Sequence, residues 1–386
     1  MLGLIIGLLL LVFYGIFEYY RNKYYRKKIP VIIHVNGTRG KSSVTRLIAA
    51  GLRAGGKRVI AKTTGSAPVL IFENGNETPI VRHYGANIKE QPKILRFTAK
   101  RNAEILVLEC MAVTPEYQWV TEHKIVNCNI CVITNSRLDH LDVMGPGIRN
   151  VTLSLCNTLP PDGKAYTAEK KMFKLMKKQA DKLNTELIQS DETSVTDEEM
   201  RGFSHIEHKE NVALSLKLCE NFGIDRKAAL ESMYKAKADV GATEIFEIDH
   251  ACKKIFFSHS FAANDPESTE FLVKHIIGLH PHIKSVGIVL STRADRMFRS
   301  KLLVDMVKKI DYSKLILVGQ QTASIKSYAT ARNIPAKNIV DLGWVTGEKL
   351  VEETCKFPGE EILLLGIGNI HGNGGIIADY FKERKV

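Results

Sequence analysis

The sequence predicts an α/β protein in three parts: an apolar N-terminal helix, a larger domain on a parallel sheet, and a smaller Rossmann-like C-terminal α/β domain. Three observations predict it. Residues Leu2 to Phe17 form an uninterrupted apolar run. Short β-branched runs alternate with helical spacing along the rest of the 386 residues, as strand–helix–strand units with parallel pairing do. The run Val31–Val35 passes through a glycine turn at Gly37–Gly40 into the helical spacing of Ser42–Leu52. The expected divisions are an anchor over residues 1–20, a basic linker over 21–29, a first domain over 30–240 and a second over 241–386.

About twenty residues are needed to cross a bilayer as a helix, so Leu2–Tyr20 just suffices. The basic residues Arg21, Lys23, Arg26, Lys27 and Lys28 follow the apolar run instead of preceding it, the reverse of a cleaved signal peptide. The expectation is a single-pass anchor in the cell membrane, with the basic flank keeping the rest of the chain cytoplasmic. Tyr19 and Tyr20 suit the interface. That flank accounts for part of the net charge of +12, which favours anionic lipid or a polyanionic product. No recognition motif is interleaved with the basic residues, so nucleic acid is not an expected partner. At 45% hydrophobic and 25% charged residues the chain suits two globular domains. The seven cysteines make no disulfide pattern and suit reduced thiols. Cys128 and Cys131 have C-x-x-C spacing without a second pair, which suits a buried pair better than a zinc site.

The glycine turn carries most chemistry. Gly37, Thr38, Arg39, Gly40, Lys41, Ser42 and Ser43 sit between a buried strand and a helix, where backbone N–H groups and the helix N-terminus cradle phosphate. Lys41 would reach the β- and γ-phosphates of ATP, and the Ser42 hydroxyl would meet Mg²⁺. The common G-x-x-x-x-G-K-[ST] loop has its first glycine where Val35 stands; the shorter G-T-x-G-K-[ST] form fits. Glu104–Glu109 is an apolar strand pattern ending in an acid, which delivers the Glu109 carboxylate to the ligand-binding edge of a parallel sheet. A hard cation prefers such oxygen. Ile130–Ile133 runs into Thr134-Asn135, and Asp139, His140 and Asp142 follow within a few residues, dense in ligands for a connecting loop.

Strand patterns at Ile255–Ser258, Val286–Leu290, Leu315–Val318 and Ile362–Leu365 organise the C-terminal part. Asn264 and Asp265 precede Pro266, a turn composition that stands on backbone grounds alone, or a contact to nucleotide or acceptor. Arg293 and Arg296 would hold a phosphate or carboxylate, or pair on the surface with Asp295. The Gly366–Gly375 stretch begins no dinucleotide-binding unit, which argues against a nicotinamide enzyme.

Gly37–Ser43, Glu109 and the Asn135-x-x-x-Asp139-His140 loop resemble the ATPase domain of the Mur ligase superfamily. The apolar N-terminus, Thr63-Thr64-Gly65, Ala86–Gln91, Phe261–Pro266, Arg293–Arg296 and Gly366–Asn369 resemble, within it, the ligase subunit of poly-γ-glutamate synthases of the PgsB/CapB type. The resemblance implies a site between two domains. It implies catalytic Lys41, His140 and Asp139, a metal shell of Ser42, Glu109 and His140, and nucleotide contacts from the phosphate loop, Asn135, Asn264 and Arg293. Mg²⁺ is the implied ion, with Mn²⁺ compatible. Arg82, Asn87, Glu90, Asp265 and Arg296 are weaker candidates for substrate contact. Three departures stand out. No lysine lies between His140 and Pro160, Ala242 stands where an interdomain arginine is usual, and Ser260 stands where an aspartate often precedes the Phe261 turn.

The activity implied is ATP-dependent amide ligation that polymerises glutamate through γ-linkages via an acyl phosphate, giving capsular or secreted poly-γ-glutamate. Glutamate, the polymer, the membrane and at least one integral membrane subunit are the expected partners, and a homo-oligomer is compatible with them. The alternatives are a membrane-anchored P-loop NTPase or small-molecule kinase, which leaves the Asp139-His140 loop unexplained, and a scaffold with a decayed site, which the intact Lys41, Ser42, Glu109 and His140 oppose.

Overall fold

The computed structural model describes residues 2–65, 68–82, 85–238, 244–250, 253–261 and 265–385. The chain forms two units, Met1–Val240 and Gly241–Val386. Asn264 and the segment 239–243, where Ala242 falls, lie outside the described residues.

The first unit opens with helix α1, Leu2–Lys27, which buries none of its residues. It is long and apolar enough to cross a membrane, with a mean hydropathy of 2.2 over its most apolar window. The stretch expected as a linker continues this helix to Lys27, because its polar side chains grip the unit behind it. Asn22 Nδ2 donates to the Ile125 carbonyl at 2.9 Å. The Arg26 guanidinium donates to the carbonyls of Asn127 at 2.8 Å and Ile29 at 3.1 Å, and to Asn129 Oδ1 at 2.9 Å.

Strands β1 (Val31–Asn36), β2 (Val59–Lys62), β3 (Val69–Ile71), β4 (Glu77–Pro79), β5 (Ile105–Glu109), β6 (Ile130–Ile133), β7 (Lys164–Thr167) and β8 (Glu186–Gln189) form one sheet in the order β4-β3-β2-β5-β1-β6-β7-β8. From β2 to β8 the neighbours run parallel; β3 and β4 add an antiparallel edge. Helices cover both faces, so the central strands are mostly apolar, as parallel strands buried on both sides tend to be, with the buried His34 and Asn36 of β1 and Lys62 of β2 as polar exceptions. Ile33, Val35, Val107 and Val132 pack with Val44, Leu47 and Ile48 of α2, Lys41–Ala54, and with Leu214 and Met233. Ile32, Leu106, Leu108 and Ile133 pack on the other face with Leu95 of α3, Glu90–Lys100, and with Val151, Leu155 and Met176. Cys128, Cys131 and Cys156 are buried, and burial pushes the Cys156 thiol up to about 12.

In the second unit β9 (Glu244–His250), β10 (Lys253–His259), β11 (Ser285–Thr292), β12 (Lys314–Gly319), β13 (Ile339–Gly343) and β14 (Glu361–Gly368) order as β13-β12-β11-β14-β10-β9. Only β9 runs antiparallel to its neighbour among these described strands. Phe257 stacks on Phe381 with ring centroids 4.1 Å apart, within a core that includes Val289, Ile316, Leu364 and Ile377.

The division of α1 between exposed and tethered parts is testable. Deleting residues 2–20 should leave the unfolding midpoint of the rest unchanged in detergent, since no side chain in that stretch is buried. Arg26→Ala should lower stability by about 1–3 kcal/mol through loss of charge-assisted hydrogen bonds. Denaturant titration of both variants measures the difference.

Candidate functional site

Three adjacent strands end together. Val35 of β1 is in register with Glu109 of β5, and Asn36 with Ile133 of β6. The chain leaves β1 for β2 on one side and later returns to place β6 on the other. A crevice forms at such a reversal, beyond the C-terminal ends of the strands. The Gly37–Gly40 turn, Glu109 and the Thr134–His140 loop all start there.

The turn depends on its glycines. Gly37 has φ 131° and Gly40 φ 76°, a region that other residues enter with strain. A Cβ on Gly37 would fall on Thr134 Oγ1, and one on Gly40 would lie 2.6 Å from Asn211 Oδ1. The Thr134 loop braces the turn. Thr38 N–H donates to the Asn135 carbonyl at 3.0 Å and Arg39 N–H to Asn135 Oδ1 at 3.1 Å. Thr134 Oγ1 donates to the Arg39 carbonyl at 2.5 Å, and Arg137 N–H donates to Thr38 Oγ1 at 3.0 Å. Asn135 is thus a brace of the loop in this structure. Helix α2 starts at Lys41, so the N–H groups of its first turn have no intrahelical acceptors and its positive end faces the crevice. Lys41 Nζ reaches back across the turn to the carbonyls of Gly37 at 2.8 Å and Thr38 at 3.4 Å, which sets the ammonium at the mouth of the cradle.

Ser42 Oγ donates to Glu109 Oε2 at 2.9 Å, and Thr64 N–H donates to the same oxygen at 2.7 Å. A hydroxyl and a carboxylate at the mouth of a phosphate cradle are a donor set for a hard divalent cation, so these residues fit one. Asp139 Oδ2 accepts from Arg39 Nη2 at 2.8 Å and lies 3.8 Å from His140 Nε2. His140 has φ 49° and precedes the short helix Leu141–Met144, with its own N–H donating to Asp139 Oδ1 at 3.0 Å. Asp139 therefore ties His140 to the phosphate loop.

A second group, on the β2 side of Glu109, was not anticipated in full. Lys62, the last residue of β2, is fully buried. Its ammonium lies 3.1 Å from Glu90 Oε2 and 3.7 Å from Met111 Sδ. Arg82 grips Glu90 with both Nε at 2.7 Å and Nη2 at 3.0 Å, and its Nη1 donates to the Thr64 carbonyl at 3.1 Å. Burial holds the Lys62 ammonium below the ordinary lysine range, against the pull of Glu90. Burial raises the Glu90 carboxyl, but Arg82 and Lys62 outweigh it and hold it below the ordinary glutamate range. The sequence signal for Lys62 was a cation closing a strand of otherwise apolar residues beside Thr63-Thr64-Gly65. Asn87 is exposed and caps its own turn, Lys89 N–H donating to its Oδ1 at 2.9 Å. Sequence reasoning also missed Glu169, whose carboxylate receives Ser136 N–H at 2.7 Å and Met172 N–H at 2.9 Å. It missed Glu210 too, which pairs with Arg137 at 2.7 Å.

In the second unit, Asp265 is the N-cap of the helix Pro266–Leu279, receiving Ser268 N–H at 2.9 Å. Arg293 donates to Asp295 through Nε at 3.0 Å and Nη2 at 2.9 Å, and Arg296 lies 3.8 Å from the same acid.

Residues 35–244 match the family described as Mur ligase middle domain, and residues 245–384 match the poly-gamma-glutamate synthase CapB C-terminal domain. The chain is 33% identical over 386 residues to the PGA synthase CapB of Bacillus subtilis (strain 168), covering 99% of this chain and 98% of that protein. It is 33% identical over 380 residues to the capsule biosynthesis protein CapB of Bacillus anthracis, covering 97% and 82%. Its fold is similar to E. coli FolC in complex with DHPP and ADP, with a TM-score of 0.70 at 15% identity over 95% of this chain and 92% of that one. It is also similar to a bifunctional folylpolyglutamate synthase/dihydrofolate synthase with Mn, AMPPNP and L-glutamate bound, with a TM-score of 0.68 at 12% identity over 94% of each chain.

Gly37→Ala should weaken nucleotide binding by about tenfold or more, since a strained φ costs about 1–3 kcal/mol before any clash. Glu109→Ala should raise the divalent-ion concentration needed for half-maximal nucleotide binding and leave metal-free binding nearly unchanged. Titrating a fluorescent ATP analogue with and without Mg²⁺ separates the two effects.

Proposed function

We propose, for a chain that belongs to the Mur ligase family in its poly-γ-glutamate synthase CapB branch, the activity of an ATP-dependent amide ligase that joins glutamate through γ-linkages into poly-γ-glutamate. The observation that carries this reading is the meeting of the Gly37–Ser43 cradle, Glu109 and the Asn135–His140 loop at one edge of a parallel sheet. ATP and a divalent cation are the required cofactors; Mg²⁺ is the ion we propose.

In the proposed reaction a γ-carboxylate oxygen attacks the γ-phosphorus of ATP, and ADP leaves with the bridging electron pair. The acyl phosphate is then attacked at its carbonyl carbon by the amine of the other partner. Inorganic phosphate leaves, the nitrogen gives up its proton, and the amide remains. Little of this is covalent chemistry by the protein; the task is to position and to neutralise charge. In this reading Lys41, whose ammonium donates to the Gly37 carbonyl, follows the transferred phosphoryl group. The first turn of α2 supplies N–H groups toward phosphate oxygens. A cation held by Ser42 and Glu109, with His140 as a further proposed ligand, would screen the charge shared by nucleotide and carboxylate. Arg39 holds Asp139, and Asp139 orients the backbone of His140, so the position of that imidazole follows the phosphate loop.

Helix α1 is proposed as a single span of the cell membrane that leaves both units cytoplasmic, where ATP and glutamate are. One span forms no pathway for a polymer, so an integral membrane partner completes the export route.

Purified protein should release phosphate from ATP only when glutamate or a γ-glutamyl acceptor is present, and form γ-amide product in proportion. Lys41→Ala should lower that rate by about 10²–10³-fold while the protein stays folded. Phosphate release independent of glutamate would overturn the ligase in favour of an NTPase. Deleting residues 2–20 should keep nucleotide binding and abolish retention in the membrane fraction after a high-salt wash.

A further inference from the structure

Helix α1 fixes more than its own place in a bilayer. Asn22 Nδ2 is bound to the Ile125 carbonyl at 2.9 Å and Arg26 to the Asn127 carbonyl at 2.8 Å, so residues 125–127 stand beside residues 22–26. Asn22 is two residues past Tyr20, a rise of roughly 3 Å at 1.5 Å per residue. The polar layer on each side of a bilayer core is about 5–8 Å thick. With Leu2–Tyr20 as the span, whatever packs beside residues 18–22 therefore lies at headgroup depth.

A cavity of about 650 Å³ lies there. Glu18, Tyr19 and Asn22 of α1 form one wall. Ile88, Pro92, Met111, Val113 and Tyr117 give it an apolar interior, and Lys89 and Lys124 add two exposed ammonium groups. Among the described residues the one acid of the lining is Glu18, already engaged by Arg21 at 3.2 Å and by the Tyr14 hydroxyl at 2.9 Å. Tyr117 and Trp119, on the short helix Pro115–Val120, are 58% and 43% exposed, and the Lys124 ammonium lies 5.1 Å from the centroid of the Trp119 ring. Exposed aromatic rings flanked by lysine are favoured where a membrane meets water. A mostly apolar pocket with a few polar groups to fix orientation suits a small ligand. Here the ligand needs an apolar tail and an anionic head, and at this depth phospholipid supplies both.

We propose that this cavity seats a phospholipid of the leaflet that α1 leaves, with an acyl chain between Tyr19 and Tyr117 and the phosphate at Lys89 and Lys124. The assignment rests on the reading of α1 as a membrane span and uses nothing of the ligase chemistry. It makes the first unit a lipid-binding surface in its own right, beyond its attachment to an anchor.

The test places the full-length protein in liposomes whose acyl chains are brominated, bromine being a short-range quencher of tryptophan. Trp119→Phe and Trp344→Phe remove both native tryptophans, and Tyr117→Trp puts a single reporter in the lining. Its emission should fall relative to the same lipids without bromine. In detergent, brominated phosphatidylglycerol should quench it saturably. Lys89→Gln with Lys124→Gln should raise the lipid concentration at half-quenching about tenfold or more, as loss of two cations near an anionic headgroup does. All variants should bind a fluorescent ATP analogue within about twofold of wild type, which shows the fold intact. In the unsubstituted protein, a phosphatidylglycerol carrying a diazirine on its acyl chain should label residues 86–92 or 111–117 as well as α1. Unquenched emission in liposomes with which the protein floats, or photolabel on α1 alone, overturns the lipid seat and leaves the span standing. Half-quenching unchanged by the lysine substitutions also overturns it, since the reporter is then merely immersed in apolar chains. Protein that does not float with liposomes overturns the span reading and this assignment with it.

Discussion

The rest of the site depends on how closely residues 37–39 lie against residues 134–137. Two backbone N–H groups of the phosphate loop are spent on Asn135, one on its carbonyl and one on its side chain. Two backbone oxygens are met in return, the Arg39 carbonyl by Thr134 and the Arg137 carbonyl by Thr38. A loop that must leave its remaining N–H groups open to phosphate cannot stabilise itself, because those groups have no internal partner. The neighbouring strand exit supplies the rigidity instead. This apposition requires glycine at 37, since the space a Cβ would take is occupied by Thr134. It also sets the Asp139–His140 pair, because Arg39 rides on the same loop and holds Asp139.

The local parts of this arrangement were legible in the sequence. The glycine turn between strand and helix, the acid ending β5 and the ligand-rich segment after β6 all follow from periodicity and residue type. The sheet order was not legible. That β1 lies between β5 and β6 is a long-range pairing, and it alone brings Glu109 to Ser42. Lys62 was obscure for a related reason. A lysine ending a four-residue strand looks solvated until the strand is known to lie next to β5 and under the Arg82–Glu90 segment, which removes it from water. The basic stretch after Tyr20 misled in another way. Its composition suits a linker, but Asn22 and Arg26 find carbonyl acceptors a hundred residues away, and the helix persists. For Arg293, Arg296 and Asp265 composition gave two readings each, and each has a local partner within the second unit.

Burial distinguishes the two groups of charges at this sheet edge. Glu109 is buried but receives a hydroxyl and a backbone N–H, so its charge is matched by neutral donors and remains available to a cation. Lys62 has one carboxylate and one sulfur, and an ammonium has three donors to satisfy. An interior lysine in that state costs stability that its pairing with Glu90 offsets, and removing one partner of such a buried pair is destabilising even where apolar replacement of the whole pair is tolerated.

The continuity of α1 constrains how such an enzyme meets a membrane. With Leu2–Tyr20 as the span, the helix continues through Lys27 without a break. Those seven residues rise roughly 10 Å at 1.5 Å each. A helix held by Asn22 and Arg26 cannot act as a flexible tether, so the first unit would be carried at a fixed height and orientation. Roughly 10 Å is also about one screening length at physiological salt. The basic residues after Tyr20 would therefore feel an anionic surface directly.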